Sequence, residues 1–280
     1  EGSASFIDKN KLNINLNSGD TMEITAKNII IATGSKPFIP PILGADNDGV
    51  LNSDELLNFD SIPESLAIIG GGVIGMEFAG IFNELGSKVT VIEALPSILT
   101  SVDSDLTKRL TSMLKRKGMD IHVNTMVKSI ESKEKLQIKA EGKKGEINIL
   151  ADKVLIATGR YPNTAGLNLE GIDIKFDKKG INVDSNYETN VDGIYAIGDI
   201  NGENMLAHAA SHQGVQVVEK ILGKRELILN SPVPNCIFVF PEIACVGLKE
   251  DEAKLKGIEY NVGKFLFGAN GKALAQGDGE

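Results

Sequence analysis

The feature that most constrains this chain is a glycine cluster at 70–75, between an apolar strand pattern at 66–69 and a helical pattern at 73–85. Its sequence, GGGVIG, fits the fingerprint GxGxxG, in which glycines allow a tight turn and a close approach of the backbone to phosphate. A second strand pattern at 88–92 follows and ends at Glu93. This order of strand, turn, helix, strand and acid predicts a parallel α/β domain that binds a dinucleotide.

Each polar or glycine position of this unit has a predicted role. Gly70 permits the turn, Gly72 lets the backbone approach a pyrophosphate at the helix N-terminus, and Gly75 allows the helix to pack closely on the strand. The Glu93 carboxylate is expected to accept hydrogen bonds from ribose hydroxyls and to repel a 2′-phosphate. Since residues 94–97 offer no Arg or Lys to pair with such a phosphate, the sequence favours NAD(H) over NADP(H). A Rossmann domain without a ligand is the competing interpretation.

Glu77 interrupts the apolar run at 66–82. Burying a carboxylate on a helix that packs against a sheet is costly unless the carboxylate has a partner. Two interpretations stay open: a solvated helix face, or a contact to the nicotinamide end of the dinucleotide.

Composition and charge exclude several classes of protein. The chain has 280 residues, of which 42% are hydrophobic and 24% charged, which suits about two domains. Its net charge of −9 argues against a nucleic-acid partner. Cys236, Cys245 and the three histidines have no ligand-like spacing, so no metal site is predicted. The glycines and Glu77 make the run at 66–82 a poor membrane span, and with no signal peptide a cytoplasmic protein is expected.

Patterns along the rest of the chain predict further elements. They are short strands over 6–31, a proline-rich crossing loop at 34–63, a helix over 103–118, a meander over 119–150, strands at 153–157 and 193–197, and helices over 206–222 and 249–256. A weak repeat relates NIIIATGSKP (28–37) to KVLIATGRYP (153–162). Because only the second copy follows a glycine fingerprint, we expect the chain to begin inside a domain; a chance match is the alternative.

Together these motifs resemble the flavoprotein disulfide reductases and, within them, the dihydrolipoamide dehydrogenases. The resemblance extends through essentially the whole chain. The matching blocks are IIIATGSKP (29–37), IIGGGVIGMEFAGIF (68–82), VTVIEA (89–94), IATGRYPNT (156–164), IYAIGDI (194–200), MLAHAASHQG (205–214), VPNCIFVFPEIACVG (233–247) and ANGKALAQGDGE (269–280).

The resemblance implies an α/β fold. A Rossmann-like NAD domain with a three-stranded meander would be flanked by part of an FAD-binding domain and by the start of an α+β interface domain. The implied boundaries are 1–62 for the partial FAD-binding domain, 63–187 for the NAD-binding domain, 188–231 for the return segment of the FAD-binding domain, and 232–280 for the beginning of a truncated interface, or dimerisation, domain.

The resemblance also implies cofactor-binding residues. Asp199 would bind the flavin ribityl chain, the His208 backbone rather than its ring would face the flavin, and Val73 would lie where the nicotinamide stacks on the flavin. The full NAD set is Gly70, Gly71, Gly72, Val73, Ile74, Gly75, Glu77, Glu93, Val127 and Gly159. The full FAD set is Thr33, Gly34, Ser35, Asp199, Met205, Leu206, Ala207 and His208.

The sequence also departs from the family pattern. The first glycine fingerprint, the redox-active CxxxxC and the C-terminal His–Glu acid–base pair are not among these 280 residues, so no catalytic residue is assigned. The resemblance therefore implies the central portion of an enzyme, lacking both ends, whose FAD site is only partly present.

The implied parent is a homodimer that oxidises dihydrolipoamide, carried on lipoyl domains of a 2-oxoacid dehydrogenase or glycine cleavage complex. Electrons would pass through a redox disulfide and FAD to NAD⁺. The isolated chain is expected to bind NAD(H) and to be inactive. Two alternatives stay open: part of a related NADH-dependent flavoprotein oxidase or disulfide reductase, or a non-catalytic NAD-binding module.

Overall fold

The computed structural model describes residues 1–143, 145–224 and 232–277. Its strands are β1 (Gly2–Asp8), β2 (Lys11–Leu16), β3 (Thr21–Thr25), β4 (Ile29–Ile31), β5 (Ser35–Pro37), β6 (Val50–Asn52), β7 (Ser65–Ile69), β8 (Lys88–Ile92), β9 (Asp120–His122), β10 (Met126–Ser132), β11 (Leu136–Gly142), β12 (Gly145–Ala151), β13 (Lys153–Ile156), β14 (Arg160–Pro162), β15 (Phe176–Asp177), β16 (Gly180–Ile181), β17 (Ile194–Ala196), β18 (Asn235–Ile237) and β19 (Ile243–Cys245). Its α-helices are α1 (Ser53–Leu57), α2 (Val73–Glu84), α3 (Ser104–Arg116), α4 (Ala207–Ile221), α5 (Glu250–Leu255) and α6 (Gly271–Gln276), and 3-10 helices cover Glu170–Ile172, Gly198–Asn201 and Phe267–Ala269.

A five-stranded parallel sheet of order β6-β13-β7-β8-β9 forms the centre of the fold. Its inner strands β13, β7 and β8 are mostly apolar and buried because both faces are covered. Along β7, Leu66 and Ile68 join a core cluster with α2 and α3, whereas Ala67 and Ile69 join a second cluster with the antiparallel meander β10-β11-β12. Alternation along one strand thus buries both faces, and the predicted α/β fold with its three-stranded meander is confirmed.

A second parallel pair, β4 and β17, lies in a separate core. Ile29 and Ile31 on β4 and Ile194 and Ala196 on β17 are buried there, together with Phe6 of β1. β1, β2 and β3 form an antiparallel sheet of their own. These elements carry residues from the two segments assigned to an FAD-binding domain, 1–62 and 188–231.

The stretch 34–63 is more than the crossing loop that the sequence predicted. It contains β5, β6 and α1, and β6 pairs with β13 at the edge of the central sheet. Asn52 caps α1, since its Oδ1 accepts the N–H groups of Asp54 and Glu55 at 2.9 and 3.0 Å. Elements of three and five residues among prolines show too little periodicity to be recognised. The domain boundaries themselves remain predictions.

The hairpin β18–β19 lies within the same compact unit as the central sheet, Glu1–Val246. Ile237 and Val239 are fully buried in the cluster that contains α2. The second compact unit, Gly247–Glu280, contains α5 and α6, and the Asn270 side chain caps α6 by accepting the N–H groups of Lys272 and Ala273. Lys144 in a predicted turn, 225–231 at the end of the return segment and 278–280 in the last matching block lie outside the described residues.

Within the ranges that the structure describes, no helix combines the length and the apolar character that crossing a membrane requires. The same ranges contain no group of three or more His, Cys, Asp or Glu side chains that could hold a metal ion. Neither Cys236 nor Cys245 forms a disulfide there.

Candidate functional site

Glycine is required for steric reasons at Gly70, in the turn between β7 and α2, and at Gly75, in the first turn of α2, whereas Gly72 leaves open space. Gly70 has φ of +113°, and a Cβ there would lie 2.4 Å from the Ala157 carbonyl oxygen. A Cβ at Gly75 would lie 2.1 Å from the Gly70 oxygen, whereas one at Gly72 would meet nothing within 4 Å. Gly72 is the N-cap of α2 and brings no side chain to it. The first turn of α2 therefore presents backbone N–H groups without a side-chain cap beside open space, a geometry that suits an anion.

Glu93 fixes the other side of this turn. It is 9% exposed, and its Oε2 accepts the N–H of Gly71 at 2.6 Å while its Oε1 accepts the N–H of Leu95 at 2.6 Å. Both are charge-assisted bonds to a carboxylate, which are stronger than neutral ones. The acid that the sequence assigned to a ribose thus also holds the glycine turn against the end of β8.

A cavity of about 800 Å³ opens beside the turn. It extends from the start of α2 to the residues that precede α4, so it brings residues predicted for NAD together with residues predicted for FAD. From the predicted NAD set, those lining it are Gly70, Gly71, Gly72, Val73, Ile74, Glu93, Val127 and Gly159, and from the FAD set, Met205 and Leu206. Gly75, Glu77, Thr33, Gly34, Ser35, Asp199, Ala207 and His208 do not line it.

The cavity also contains polar residues that sequence reasoning missed. Asn235 contributes a buried Oδ1 with no hydrogen-bond partner among the described residues. Glu203 lies at the same wall, and burial raises the pKa of its carboxyl. Arg160 follows Gly159 in the wall. The block VPNCIFVFPEIACVG was the available signal for Asn235, but its letters give no contact across the fold.

Glu77 is directed elsewhere. Its Oε1 accepts the N–H of Phe238 at 2.9 Å, and the neighbouring Ile237 and Val239 are buried against the cluster around α2. Glu77 therefore joins α2 to the strand β18 and the residues after it, and the carboxylate in the apolar run has a backbone partner. Its contact to a nicotinamide stays a prediction.

The predicted flavin residues lie around the end of β17 and the start of α4. The Ser35 hydroxyl donates to Asp199 Oδ2 at 2.5 Å, and Asp199 lies in the 3-10 helix that follows β17. The N-cap of α4 is Leu206, whose side chain has no acceptor, so the first N–H groups of α4 also lack a side-chain cap. His208 shares a 2.8 Å hydrogen bond between its Nε2 and the Pro234 carbonyl oxygen.

The two copies of the sequence repeat meet each other. Each copy leaves a parallel strand through Ala-Thr-Gly, and the segments that follow pair as the antiparallel ribbon β5–β14. Thr33 Oγ1 donates to the Asn163 oxygen at 2.9 Å, and the matching Thr158 Oγ1 donates to the Phe38 oxygen at 2.9 Å. The contacts obey an approximate two-fold relation, so the repeat occupies equivalent places in the fold. We call this region the crossing ribbon.

Comparison with known proteins gives matches along the chain. The family model described as pyridine nucleotide-disulphide oxidoreductase matches residues 1–214, and the dimerisation domain of the same family matches 233–280. A dihydrolipoyl dehydrogenase of Bacillus subtilis is 38% identical over 280 residues, which are 100% of this chain and 61% of that protein. The dihydrolipoyl dehydrogenase of Trypanosoma brucei brucei is 39% identical over 98% of this chain and 59% of its own length.

Solved structures agree with these matches. A copper(II) complex of RclA, a HOCl-induced flavoprotein disulfide reductase from Escherichia coli, has a TM-score of 0.88 at 31% identity and covers 100% of this chain and 63% of its own. LpdA from Mycobacterium tuberculosis has a TM-score of 0.89 at 27% identity. The chain thus spans about 61% of the length of the Bacillus relative. With its glycine turn, crossing ribbon and matched family model, the chain belongs to the pyridine nucleotide-disulphide oxidoreductase family.

Proposed function

We propose that this chain provides the NAD(H) site and one wall of the flavin site of a dihydrolipoamide dehydrogenase. The observation that carries the proposal is the single cavity that runs from the glycine turn at the start of α2 to Met205 and Leu206 before α4. A nicotinamide and a flavin must lie next to each other for electrons to pass between them, and this cavity joins the residues expected to bind each.

The residues at the α2 end fit a dinucleotide. The uncapped N–H groups after Gly72 suit a pyrophosphate, because they and the helix dipole favour negative charge. Glu93 uses its backbone bonds to hold the turn and retains acceptor capacity for ribose hydroxyls. The partnerless Asn235 Oδ1 is an acceptor for which the carboxamide N–H of a nicotinamide is a suitable donor.

The residues at the α4 end fit part of a flavin. Asp199 would accept from ribityl hydroxyls, and the uncapped first turn of α4 after Leu206 would face the electron-rich pyrimidine edge. When bound, FAD and NAD supply the redox chemistry, and the protein supplies binding and orientation.

The relatives favour dihydrolipoamide as the substrate of the complete protein, delivered on a lipoyl domain of a 2-oxoacid dehydrogenase or glycine cleavage complex. The match of 233–280 to a dimerisation domain supports a homodimer. The only cysteines of the 280-residue sequence are Cys236 and Cys245, on the paired strands β18 and β19, and neither has the CxxxxC spacing. We therefore expect the isolated chain to bind NAD(H) without oxidising dihydrolipoamide.

A second candidate is a different flavoprotein disulfide reductase or an NADH-dependent flavoprotein oxidase. The similarity to the Escherichia coli flavoprotein disulfide reductase, which extends over the whole chain, supports this second candidate. A dihydrolipoamide dehydrogenase and such an enzyme share the nucleotide site and differ in the substrate that reduces or oxidises the flavin.

The experiment combines an absorption spectrum, titrations with NADH and NADPH, and an activity assay. The purified 280-residue chain should bind NADH more tightly than NADPH, added FAD should give a bound-flavin spectrum, and dihydrolipoamide with NAD⁺ should give no turnover. Equal affinity for NADH and NADPH would contradict the NAD assignment. Turnover without another protein would contradict the expected inactivity.

A further inference from the structure

Arg160 stands at the junction of the two predicted cofactor sites. It follows Gly159 in the wall of the cavity, and its guanidinium reaches across the crossing ribbon to Ser35. We propose that Arg160 is a positioning residue for the flavin: through Ser35 it fixes the Asp199 carboxylate, and it thereby ties the wall of the NAD(H) cavity to the flavin site. This inference rests on the proposed function, because it takes Asp199 as the flavin acid.

The guanidinium grips Ser35 at two points. Arg160 Nε donates to Ser35 Oγ at 2.7 Å, and Nη2 donates to the Ser35 carbonyl oxygen at 2.9 Å. Its Nη1 lies 3.3 Å from Ser53 Oγ and 3.4 Å from Asp54 Oδ1, near the start of α1. The Arg160 side chain is 23% exposed. A planar guanidinium that is held at several points has one fixed orientation. A lysine ammonium, which is a compact charge on a flexible side chain, would not be fixed in this way.

This grip fixes the direction of the Ser35 hydroxyl. Arginine is a donor only, so Ser35 Oγ must accept from Nε and its own O–H is directed to Asp199 Oδ2, 2.5 Å away. The hydroxyl therefore holds Oδ2, while Asp199 Oδ1 has no hydrogen bond within the described part of the chain. An ionised carboxylate with one oxygen held and the other available is suited to accept from a ribityl hydroxyl.

If Arg160 had only a structural role, it would stabilise the pairing of β5 with β14 and would not affect Asp199. The ribbon already has other cross-links, such as Thr33 to Asn163 and Thr158 to Phe38. The Arg160–Ser35–Asp199 chain differs from these because it continues to a side chain assigned to a cofactor. Flavin affinity therefore separates the two roles, whereas folding stability does not.

The test uses the 280-residue chain and four variants: Arg160→Met, Arg160→Lys, Ser35→Ala and the double variant that combines Arg160→Met with Ser35→Ala. Lys36→Met is the matched control, because Lys36 is exposed on the same strand and opposite Tyr161, and its loss removes one positive charge from the ribbon. The dissociation constant of FAD is measured by quenching of flavin fluorescence, and that of NADH is measured on the same samples. Thermal unfolding shows whether each variant is folded and how its stability compares with that of the unchanged chain.

Arg160→Met and Ser35→Ala should each weaken FAD binding by about tenfold, as expected for loss of a charge-assisted contact. The double variant should bind FAD no more weakly than the single variant with the lower FAD affinity. Both substitutions break the same series of hydrogen bonds, from Arg160 through Ser35 to Asp199, so their effects should not add. The FAD affinity of Arg160→Lys should lie between those of Arg160→Met and the unchanged chain. Lys36→Met should bind FAD as tightly as the unchanged chain. If Arg160→Met does not fold, Arg160→Lys decides together with Ser35→Ala, because a lysine cannot hold both Ser35 oxygens in the fixed geometry of the guanidinium.

Unchanged FAD affinity in Arg160→Met or Ser35→Ala, or fully additive losses in the double variant, would overturn the positioning role. Failure of the unchanged chain to bind FAD would overturn it too. In that case saturable NADH binding by the same sample would leave the nucleotide part of the proposed function standing.

Discussion

The Glu93 carboxylate has backbone partners on both oxygens and is also predicted to bind a ribose. A carboxylate offers about four lone-pair sites, and the N–H groups of Gly71 and Leu95 take one on each oxygen. Acceptor capacity therefore remains on both oxygens for the two hydroxyls of a ribose. A phosphate on that ribose would bring negative charge to a buried carboxyl group, which is the physical basis of the predicted preference for NADH.

Glu93→Ala should narrow the gap between NADH and NADPH affinities and lower the free energy of unfolding by about 1–3 kcal/mol, because two backbone N–H groups lose a buried acceptor. Glu93→Gln removes the charge and keeps one acceptor oxygen. It should narrow the gap with a smaller loss of stability. Fluorescence titration and urea unfolding measure the two effects, and an unchanged NADH/NADPH ratio in both variants would contradict the account.

Substitution of Glu77 should change the stability of the fold through its bond to the Phe238 N–H. Glu77→Ala should lower the free energy of unfolding by about 0.5–1.5 kcal/mol, because the Phe238 N–H loses its acceptor, and Glu77→Gln should retain most of the stability. Glu84→Ala is the matched control on the same helix, since its ion pair with Lys117 is exposed and contributes little. Thermal unfolding distinguishes them, and equal losses in Glu77→Ala and Glu84→Ala would show that the Phe238 contact is unimportant.

Single residues differ in how far the sequence could predict them. Gly70, Gly72 and Glu93 are local to one βαβ unit, so their spacing alone indicates what they do. The partner of Glu77 is 161 residues away in sequence, and no local pattern encodes such a contact. Arg160 was missed for the same reason.

At the scale of elements, α2 and the turn before it combine two separable requirements. Gly75→Ala places a Cβ 2.1 Å from the Gly70 oxygen, so it should cost about 3 kcal/mol of unfolding free energy or prevent folding.

The Cβ of Gly72→Ala would meet no neighbouring atom, and the φ of −73° at this position suits alanine. That variant should fold normally and bind NADH more than tenfold more weakly, because its methyl group takes the space of the pyrophosphate. Unfolding curves with NADH titrations check both, and normal NADH binding by Gly72→Ala would place the phosphate elsewhere.

Asp152 joins two strands of the central sheet and introduces a dependence on pH. Its Oδ2 accepts the Ser65 hydroxyl at 2.5 Å and the Ser65 N–H at 2.9 Å, and Lys135 Nζ lies 2.9 Å from Oδ1. The Ser65 hydroxyl, and then Lys135, hold the pKa of this carboxyl below its ordinary value of 3.8. Because the folded-state pKa is the lower one, the stabilisation is present above 3.8 and is lost as the pH falls through the folded-state value.

Asp152→Asn should therefore lower the urea midpoint near neutral pH and leave a smaller difference from the unchanged chain at about pH 3. Asp60→Asn, at an exposed position before β7, is the control. A difference between Asp152→Asn and the unchanged chain that grows in acid would contradict the stated direction of the pKa shift.

The long elements follow from periodicity within a residue or two. The predicted helix 73–85 is α2 (Val73–Glu84), and the predicted helix 206–222 is α4 (Ala207–Ile221). β5, β6 and β14 have three residues each and owe their existence to partners far along the chain, so their sequences show no alternation to recognise.

At the scale of the whole molecule, the repeat found in the sequence becomes the connection between two halves of the fold. Its copies meet in the crossing ribbon, and the cavity beside the ribbon reaches residues from both halves. Two short Ala-Thr-Gly matches predict equivalent positions in two parallel sheets, but they do not predict that the copies pair with each other. That pairing depends on how the halves pack.

Hydrogen–deuterium exchange can locate NADH on the chain, and we predict that NADH binds at the start of α2. NADH should slow amide exchange in peptides that cover the glycine turn and the first turn of α2, and should leave the meander strands β11 and β12 unchanged. NADPH at the same concentration should protect less. Saturable NADH binding without protection at the glycine turn, or with protection confined to another part of the chain, would contradict the account.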